Sequence, residues 1–215
     1  MRVRKVISGR SPRALYKFPS IRQGRTVYCE SSHEFNYAHL LEFDQDVLAY
    51  QEQPLTLPYC LEGKRHRYTP DFQVDRRACR PELVEVKPTE QCSKAENQRM
   101  FRAVKTAADE AGYGFVVMDS DQINKEPRLR NVKLLWKYSC TPVNPQHQLF
   151  CTALFSCVAE LSLGAVFESF RAKGYSQQVV YSLIYHGMLT VDLTLLLNAS
   201  SILSLPGRRS NGERN

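Results

Sequence analysis

The sequence predicts an α/β protein in which a mixed sheet flanked by helices precedes a small, mostly helical domain. Short apolar or alternating runs between residues 47 and 87 indicate several strands. A strand, a helix and another strand follow one another over residues 83–121, a pattern typical of parallel strands joined by a right-handed crossover. Residues 141–148 contain two prolines and no regular period, which indicates a linker.

The elements of the first domain follow from local patterns. Apolar residues recur at helical spacing over residues 93–111, and Gly112 suits the end of this helix. The other expected elements are helices at residues 32–43 and 128–140 and strands at residues 47–51, 55–59, 65–74, 83–87 and 114–121.

The chain is expected to divide into three parts, at residues 1–140, 149–205 and 206–215. The first part begins with a basic arm, and the last is a flexible tail. The second part has helical patterns at residues 154–163 and 164–173, a helix capped by Ser176 and a strand at residues 188–197. This order is typical of a helix-turn-helix or winged-helix-like domain.

Positive charge is concentrated near the start of the chain, whose formal net charge is +7. The basic arm, from Arg2 to Arg25, contains eight Lys or Arg residues and no acid. A basic protein suits an anionic partner, and double-stranded DNA is the partner expected here. The arm is expected to contact phosphates without sequence specificity; the competing interpretation is a disordered, solubilising tail.

Neither secretion nor membrane insertion is indicated by the sequence. The apolar run at residues 149–167 is interrupted by Glu160, so a buried helical pair is favoured over a membrane span. The basic N-terminal stretch has no apolar region behind it, and the seven cysteines form no CxxC pair. We therefore expect a cytoplasmic protein with reduced thiols and no membrane partner.

Two short motifs carry the expected chemistry. A TPDF motif contains Asp71, and an LVEVK motif contains Glu85 and Lys87. Because side chains alternate along a strand, Glu85 and Lys87 share one face, while Val84 and Val86 point into the core. If the two strands pair as a hairpin, Asp71 can approach Glu85. Either motif alone is typical of an ordinary turn or exposed strand, but the combination indicates a site.

The residue types at this site suit phosphodiester hydrolysis assisted by a hard divalent cation. Mg²⁺ prefers oxygen ligands and takes one or two protein carboxylates. Asp71, Glu85 and the Val86 carbonyl are therefore expected to bind one or two Mg²⁺ ions, which Mn²⁺ can replace. Lys87 is expected to orient the attacking water and to stabilise negative charge. The sequence thus predicts a DNA endonuclease of the PD-(D/E)xK type with a restriction-endonuclease-like fold.

Glu34 is a further candidate at the start of the first expected helix. Ser31 and Glu34 have the spacing of a capping box, in which each side chain binds the other's backbone amide. The functional interpretation is an additional carboxylate for a second metal ion.

Cations in the basic arm and around the TPDF motif are expected to contact DNA phosphates. They are Lys17, Arg22, Arg25, Lys64, Arg65 and Arg67.

Five blocks of the sequence, in order, resemble the N-terminal endonuclease domain of TnsA, a subunit of a heteromeric cut-and-paste bacterial transposase. They are FPS-x-(K/R), the S-x-x-E helix that ends in LLEFD, QP, YTPDF and VEVK. The stretch DQINKEPRLRNVKLLWKY is also similar, so the resemblance covers residues 16–138.

The resemblance implies that Glu34 joins Asp71, Glu85 and Lys87 in the active site, where capping and catalytic roles can coexist. It implies a bacterial protein that cleaves the 5′ ends of a transposon. It also implies two partners, a TnsB-like DDE transposase that cuts and joins the 3′ ends and a TnsC-like AAA+ regulator. The winged-helix-like pattern at residues 149–205 agrees with a C-terminal domain that the family often carries.

Three alternatives remain open. One is another PD-(D/E)xK nuclease, such as a restriction or junction-resolving enzyme, against which the FPS and QP blocks argue. Another is a catalytically silent subunit that binds DNA and bridges partners, against which the intact Asp71, Glu85 and Lys87 argue. The last is a membrane-associated regulator that uses residues 149–167.

Overall fold

A computed structural model describes residues 15–207. The part of the basic arm before residue 15 and most of the expected tail, residues 208–215, lie outside the described residues. The chain divides into two compact units, of which one ends at Lys125 and the other begins at Glu126. The expected linker at residues 141–148 therefore lies inside the second unit, where the Ser182 hydroxyl donates to the Thr141 carbonyl at 2.9 Å.

The first unit is built on a central mixed sheet. Its elements in chain order are β1 (Tyr16–Ser20), β2 (Arg25–Cys29), α1 (Ser32–Phe43), β3 (Val47–Glu52), β4 (Leu57–Leu61), β5 (Lys64–Tyr68), β6 (Phe72–Arg76), β7 (Glu82–Lys87), α2 (Thr89–Cys92), α3 (Ala95–Glu110), β8 (Gly114–Asp119) and α4 (Ser120–Ile123). The central sheet has the order β3-β6-β7-β8. Only the β7–β8 pair in this sheet is parallel, and the other two pairs are antiparallel. The expected mixed sheet flanked by helices is confirmed.

The strand that carries Glu85 is an interior strand of this sheet. β7 lies between β6 and β8, and its Val84 and Val86 are buried, as predicted. α3 connects β7 to its parallel neighbour β8, which confirms the expected strand–helix–strand unit. The inward face of α3 consists of apolar residues at helical spacing: Phe101, Val104 and Ala108. The candidate site therefore rests on a rigid part of the fold.

Residues 65–74, which were expected to form one strand, form two. β5 ends at Tyr68 and pairs with β4 in a separate two-stranded sheet, whereas β6 begins at Phe72 in the central sheet. Pro70 lies at the break, and a proline cannot donate a hydrogen bond to a sheet. The interruption leaves Asp71 just before the first residue of β6.

Part of the expected basic arm forms an antiparallel hairpin, β1–β2. The buried Glu42 of α1 links this hairpin to the central sheet. Its carboxylate accepts hydrogen bonds from the Ser20 hydroxyl at 2.8 Å, the Arg22 amide at 2.6 Å and the Tyr50 hydroxyl at 2.6 Å. These donors satisfy a charge that is otherwise costly to bury. The serine of the FPS block therefore has a structural role.

The second unit combines helices with a small antiparallel sheet. Its elements are α5 (Arg128–Trp136), α6 (Pro145–Leu154), β9 (Glu160–Ser162), α7 (Leu163–Ala172), α8 (Gln177–Tyr185), β10 (Thr190–Val191) and β11 (Ile202–Ser204). The sheet has the order β10-β11-β9. Val166, Phe170 and Leu183 are fully buried in this unit. The winged-helix-like assignment stays a prediction.

Two local predictions in the second unit are wrong. Residues 154–163 do not form a helix, because α6 ends at Leu154 and β9 precedes α7. Residues 188–197 do not form a strand beyond Thr190–Val191. The loop that follows is held by the buried Asn131, whose side-chain amide donates to the carbonyls of Leu193 and Leu195 at 2.9 and 2.7 Å. A distant side chain thus overrides the local alternation of apolar residues.

Within residues 15–207, no helix has the length and apolar character needed to cross a membrane. The apolar run at residues 149–167 is divided among α6, β9 and α7.

Candidate active site

Asp71 lies just before the first residue of β6, beside the paired strand β7. These strands are antiparallel, with Phe72 opposite Val84. Asp71 precedes Phe72 and Glu85 follows Val84, so the two acids lie at neighbouring positions on the paired strands. The Val86 amide donates to Asp71 Oδ2 at 2.7 Å. The strand pairing that brings Asp71 towards Glu85 is therefore present.

Glu85 and Lys87 form an ion pair between Oε1 and Nζ. The Glu85 side chain is 3% exposed and that of Lys87 is 33% exposed. The second carboxylate oxygen, Glu85 Oε2, is buried and has no hydrogen-bond partner among the described residues. A buried carboxylate oxygen without a partner is costly, so this atom marks a position suited to a further donor or a cation.

Burial raises the pKa of each of three carboxylates, those of Asp71, Glu85 and Glu34. Burial raises the pKa of Asp71 well above its ordinary value, and the charges of Glu85 and Glu34 raise it further. Burial also raises the pKa of Glu85, although Lys87 opposes this effect. The pKa of Glu34 is likewise raised by burial. Such crowding of acids is typical of functional sites, and a bound cation would relieve it.

Lys87 remains a cation at neutral pH. Burial alone would lower the pKa of Lys87, but the charges of Glu85, Asp71 and Glu34 outweigh it, so its pKa is raised from the ordinary value of 10.5. The ammonium group can therefore donate hydrogen bonds and offset negative charge.

Tyr68 is a neighbour of Glu85 that the sequence analysis missed. Its hydroxyl is buried and completes no hydrogen bond of acceptable geometry with the described residues. Burial raises the pKa of Tyr68, and the charge of Glu85 raises it further. Its ring packs edge-on against Tyr59 and Phe115, which fixes the side chain. Its position at the end of β5, shortly before Asp71, is the only signal in the sequence.

Glu34 combines a capping contact with proximity to the other acids. Its amide donates to Ser31 Oγ at 3.1 Å, which confirms the Ser31 half of the expected capping box. Its carboxylate accepts from the Glu30 amide and the Ser31 hydroxyl, each at 2.8 Å, instead of from the Ser31 amide. The charge of Glu34 raises the pKa of Asp71, and membership of Glu34 in the site stays a prediction.

The cations expected to contact DNA fall into two groups. Arg22 is half-buried, and the other five are exposed: Lys17, Arg25, Lys64, Arg65 and Arg67. The guanidinium of Arg22 instead donates to three backbone carbonyls of residues 42–47. Arg25 forms two hydrogen bonds with the buried Glu52, at 2.9 and 2.6 Å. In this arrangement Arg22 and Arg25 make contacts within the fold, and their phosphate contacts stay a prediction.

Gln53 is a second residue that the sequence analysis did not place in the site. Its backbone amide donates to the backbone carbonyl of Asp71 at 2.8 Å. Its side-chain Nε2 donates to Glu30 Oε1, also at 2.8 Å. Gln53 is the glutamine of the QP block, so the family resemblance included this position. No local sequence pattern predicts its long-range contacts.

The site offers a divalent cation carboxylate ligands from two residues, Asp71 and Glu85. Within residues 15–207, no three or more His, Cys, Asp and Glu side chains converge as a ready-made metal cluster. Mg²⁺ nevertheless takes only one or two protein carboxylates and completes its shell with water and phosphate. Asp71 and Glu85 meet that requirement, and the unpartnered Glu85 Oε2 supplies an available oxygen. The residues present therefore fit Mg²⁺.

The mixed sheet flanked by helices is consistent with a restriction-endonuclease-like fold. Residues 44–120 match the family model described as TnsA-like endonuclease N terminal. The expected resemblance to the TnsA-like endonuclease domain is confirmed over these residues. It contains Asp71, Glu85 and Lys87 and begins after Glu34. No curated protein matches the chain.

Proposed function

We propose that the protein is a Mg²⁺-dependent DNA endonuclease subunit of a heteromeric cut-and-paste transposase and cleaves the 5′ ends of the transposon. The proposal is carried by the junction of β6 and β7, where Asp71, Glu85 and Lys87 meet within a TnsA-like endonuclease domain. Hydrolysis of a phosphodiester needs an oriented water and stabilisation of developing negative charge, and this residue set suits both needs.

Asp71 and Glu85 are the proposed ligands for one or two Mg²⁺ ions, with the Val86 carbonyl and Glu34 as further oxygen ligands. Bound Mg²⁺, or Mn²⁺ in its place, would supply Lewis-acid polarisation of the phosphate and a lowered pKa for water. The hydrogen bond from the Val86 amide orients the Asp71 carboxylate before any ion arrives. Such orientation by a rigid strand reduces the reorganisation needed for binding.

Lys87 is proposed to act through its positive charge. It shares one face of β7 with Glu85 and is more exposed than Glu85, so it can reach a phosphate on the open side of the site. Because its pKa is raised by Glu85, Asp71 and Glu34 against the effect of burial, the ammonium keeps its protons at neutral pH. It would orient the attacking water and stabilise charge on the phosphate oxygens.

The β4–β5 hairpin is proposed to hold the DNA backbone beside the site. Lys64, Arg65 and Arg67 are exposed on β5, which ends just before the Thr69–Pro70 connection to Asp71. Contacts of this kind with phosphates position a duplex without reading its sequence and weaken as salt increases.

The partners proposed for this subunit are a TnsB-like DDE transposase, a TnsC-like AAA+ regulator and the double-stranded transposon ends. The family match over residues 44–120 supports a transposition system of this type. The second unit is proposed to be a winged-helix-like domain, because its helices alternate with a three-stranded antiparallel sheet.

Strand-specific cleavage of transposon-end DNA, with the DDE transposase partner and Mg²⁺ present, tests the proposal. Asp71→Ala and Lys87→Ala should lose 5′-strand cuts while 3′-strand cuts persist. Asp46→Ala, which removes an exposed carboxylate elsewhere in the unit, should cut as the wild type does. Undiminished 5′ cutting by both site variants would show that these residues do not form the active site.

A further inference from the structure

Gln53 has an unusual backbone conformation for a buried residue. Its φ is 44°, in the left-handed region that residues other than glycine, asparagine and aspartate rarely adopt. The other described non-glycine residues with positive φ, Glu62 and Ala78, are exposed, whereas Gln53 is only 8% exposed. Strained residues of this kind persist where the surrounding structure determines their conformation, and they cluster at functional sites.

The contacts of Gln53 reach both sides of the candidate active site. Its backbone amide donates to the carbonyl of Asp71, while its side-chain Nε2 donates to Glu30 Oε1. The backbone amide of Glu30 in turn donates to Glu34 Oε2 at 2.8 Å. Gln53 therefore links the segment that carries Glu34 to the residue Asp71, although these two acids belong to different elements.

Glutamine at position 53 makes two unfavourable contributions to the stability of the fold. A glycine would adopt the same φ without strain. The Gln53 Oε1 atom is buried and has no hydrogen-bond partner among the described residues, which adds a further unfavourable contribution. The backbone turn alone thus gives no reason for glutamine, whereas the contact from Nε2 to Glu30 does.

We propose that Gln53 is a positioning residue that fixes the Glu34 segment relative to Asp71 and so sets the geometry of the metal-binding carboxylates. The inference rests on the proposed function of this site. Gln53 acts through Glu30 and the Asp71 backbone, as supporting residues around metal ligands generally do.

Two substitutions in the full-length protein test this role. Gln53→Asn tolerates the left-handed backbone better than glutamine, but its side chain is shorter by one methylene and loses Glu30. Gln53→Gly removes the side chain and the strain. Both variants should weaken Mn²⁺ binding, measured by calorimetry without DNA, by about 10- to 100-fold. Their kcat for cleavage should fall by a similar factor, with KM for DNA unchanged.

Ala78→Gly is the matched control, because it relieves the same backbone strain at an exposed position away from the site. It should leave Mn²⁺ affinity and kcat unchanged. If Gln53→Gly fails to fold, Gln53→Asn still decides the question. Wild-type Mn²⁺ affinity in a folded Gln53→Asn protein would overturn the proposal.

A double-mutant cycle distinguishes positioning from general destabilisation. If the contact between Gln53 and Glu30 carries the effect, adding Glu30→Ala to Gln53→Asn should cause no further loss of Mn²⁺ affinity. Losses that multiply would contradict the proposal. The Asp71→Asn variant distinguishes failure of the proposed nuclease function from failure of the positioning role of Gln53. If Asp71→Asn still cleaves DNA, the proposed function is wrong. If Asp71→Asn is inactive but the Gln53 variants behave as the wild type does, only the role of Gln53 is wrong.

Discussion

The Val86 amide donates to Oδ2 of Asp71 at 2.7 Å, and this contact joins the two sequence motifs of the candidate site. The hydrogen bond lowers the pKa of Asp71, but burial and the charges of Glu85 and Glu34 raise it by more. The carboxylate is therefore oriented but electrostatically unfavourable until a cation is bound.

Without divalent cations, the fold should lose stability as pH rises from the ordinary carboxyl range towards the raised pKa of Asp71. In that window the folded state holds more protons than the unfolded state, so the free energy of unfolding falls with pH. The loss is complete above the folded pKa. Asp71→Asn should flatten this dependence, measured as thermal midpoints across a pH series in chelator. Identical slopes for the two proteins would contradict the assignment.

Two buried tyrosines should respond differently to removal of their hydroxyls. Tyr68→Phe removes a hydroxyl that has no hydrogen-bond partner among the described residues, so the free energy of unfolding should stay unchanged or rise by up to about 1 kcal/mol. Tyr50→Phe removes the donor to Glu42 and should cost about 1–3 kcal/mol. Urea denaturation measures both, and equal losses would show that Tyr68 has a partner in solution.

Arg22 and Arg67 should separate fold stability from DNA binding. Arg67→Ala should reduce the slope of log affinity against log salt by about 1 without changing the free energy of unfolding. Arg22→Ala removes hydrogen bonds to backbone carbonyls and should destabilise the fold by about 1–3 kcal/mol. Its salt slope should match that of the wild type. A reduced salt slope for Arg22→Ala, with the wild-type slope for Arg67→Ala, would show that Arg22 contacts phosphate.

The two roles of Glu34 can be separated by an isosteric change. Glu34→Gln retains an oxygen that can accept the Glu30 or Ser31 hydrogen bond, so stability should change little, while Mn²⁺ affinity should fall. Ser31→Ala removes the helix cap and should cost about 0.5–2 kcal/mol. If Glu34→Gln binds Mn²⁺ normally, Glu34 is a capping residue only.

The central strands could be predicted from the sequence because their signals are local, whereas the pairing of the two motifs was only a condition until the structure showed it. Alternation along residues 83–87 placed Glu85 and Lys87 on one face, and the strand–helix–strand order predicted the parallel pair β7–β8. The break at Pro70 was not predicted, since the apolar pattern continues through it. It separates β5 from β6 and places them in different sheets.

The supporting residues were not predictable because their partners are distant in the chain. Gln53 contacts Asp71 and Glu30, and Asn131 determines the conformation of the loop after β10. Arg22 was expected to contact DNA because of its charge, yet its guanidinium donates to the carbonyls of Glu42, near the end of α1, and Asp44. The number of basic residues in a segment does not distinguish a cation that binds DNA from one that forms hydrogen bonds within the fold.

Asp71→Asn provides the most direct test of the central claim that Asp71, Glu85 and Lys87 form a nuclease active site. Asparagine keeps the shape of aspartate and an oxygen that can accept from the Val86 amide, but it removes the charge. One preparation should be assayed for 5′-strand cleavage with Mg²⁺ and for its thermal midpoint in chelator. We predict that cleavage is lost while the midpoint is unchanged or higher; cleavage at the wild-type rate by the folded variant would contradict the account.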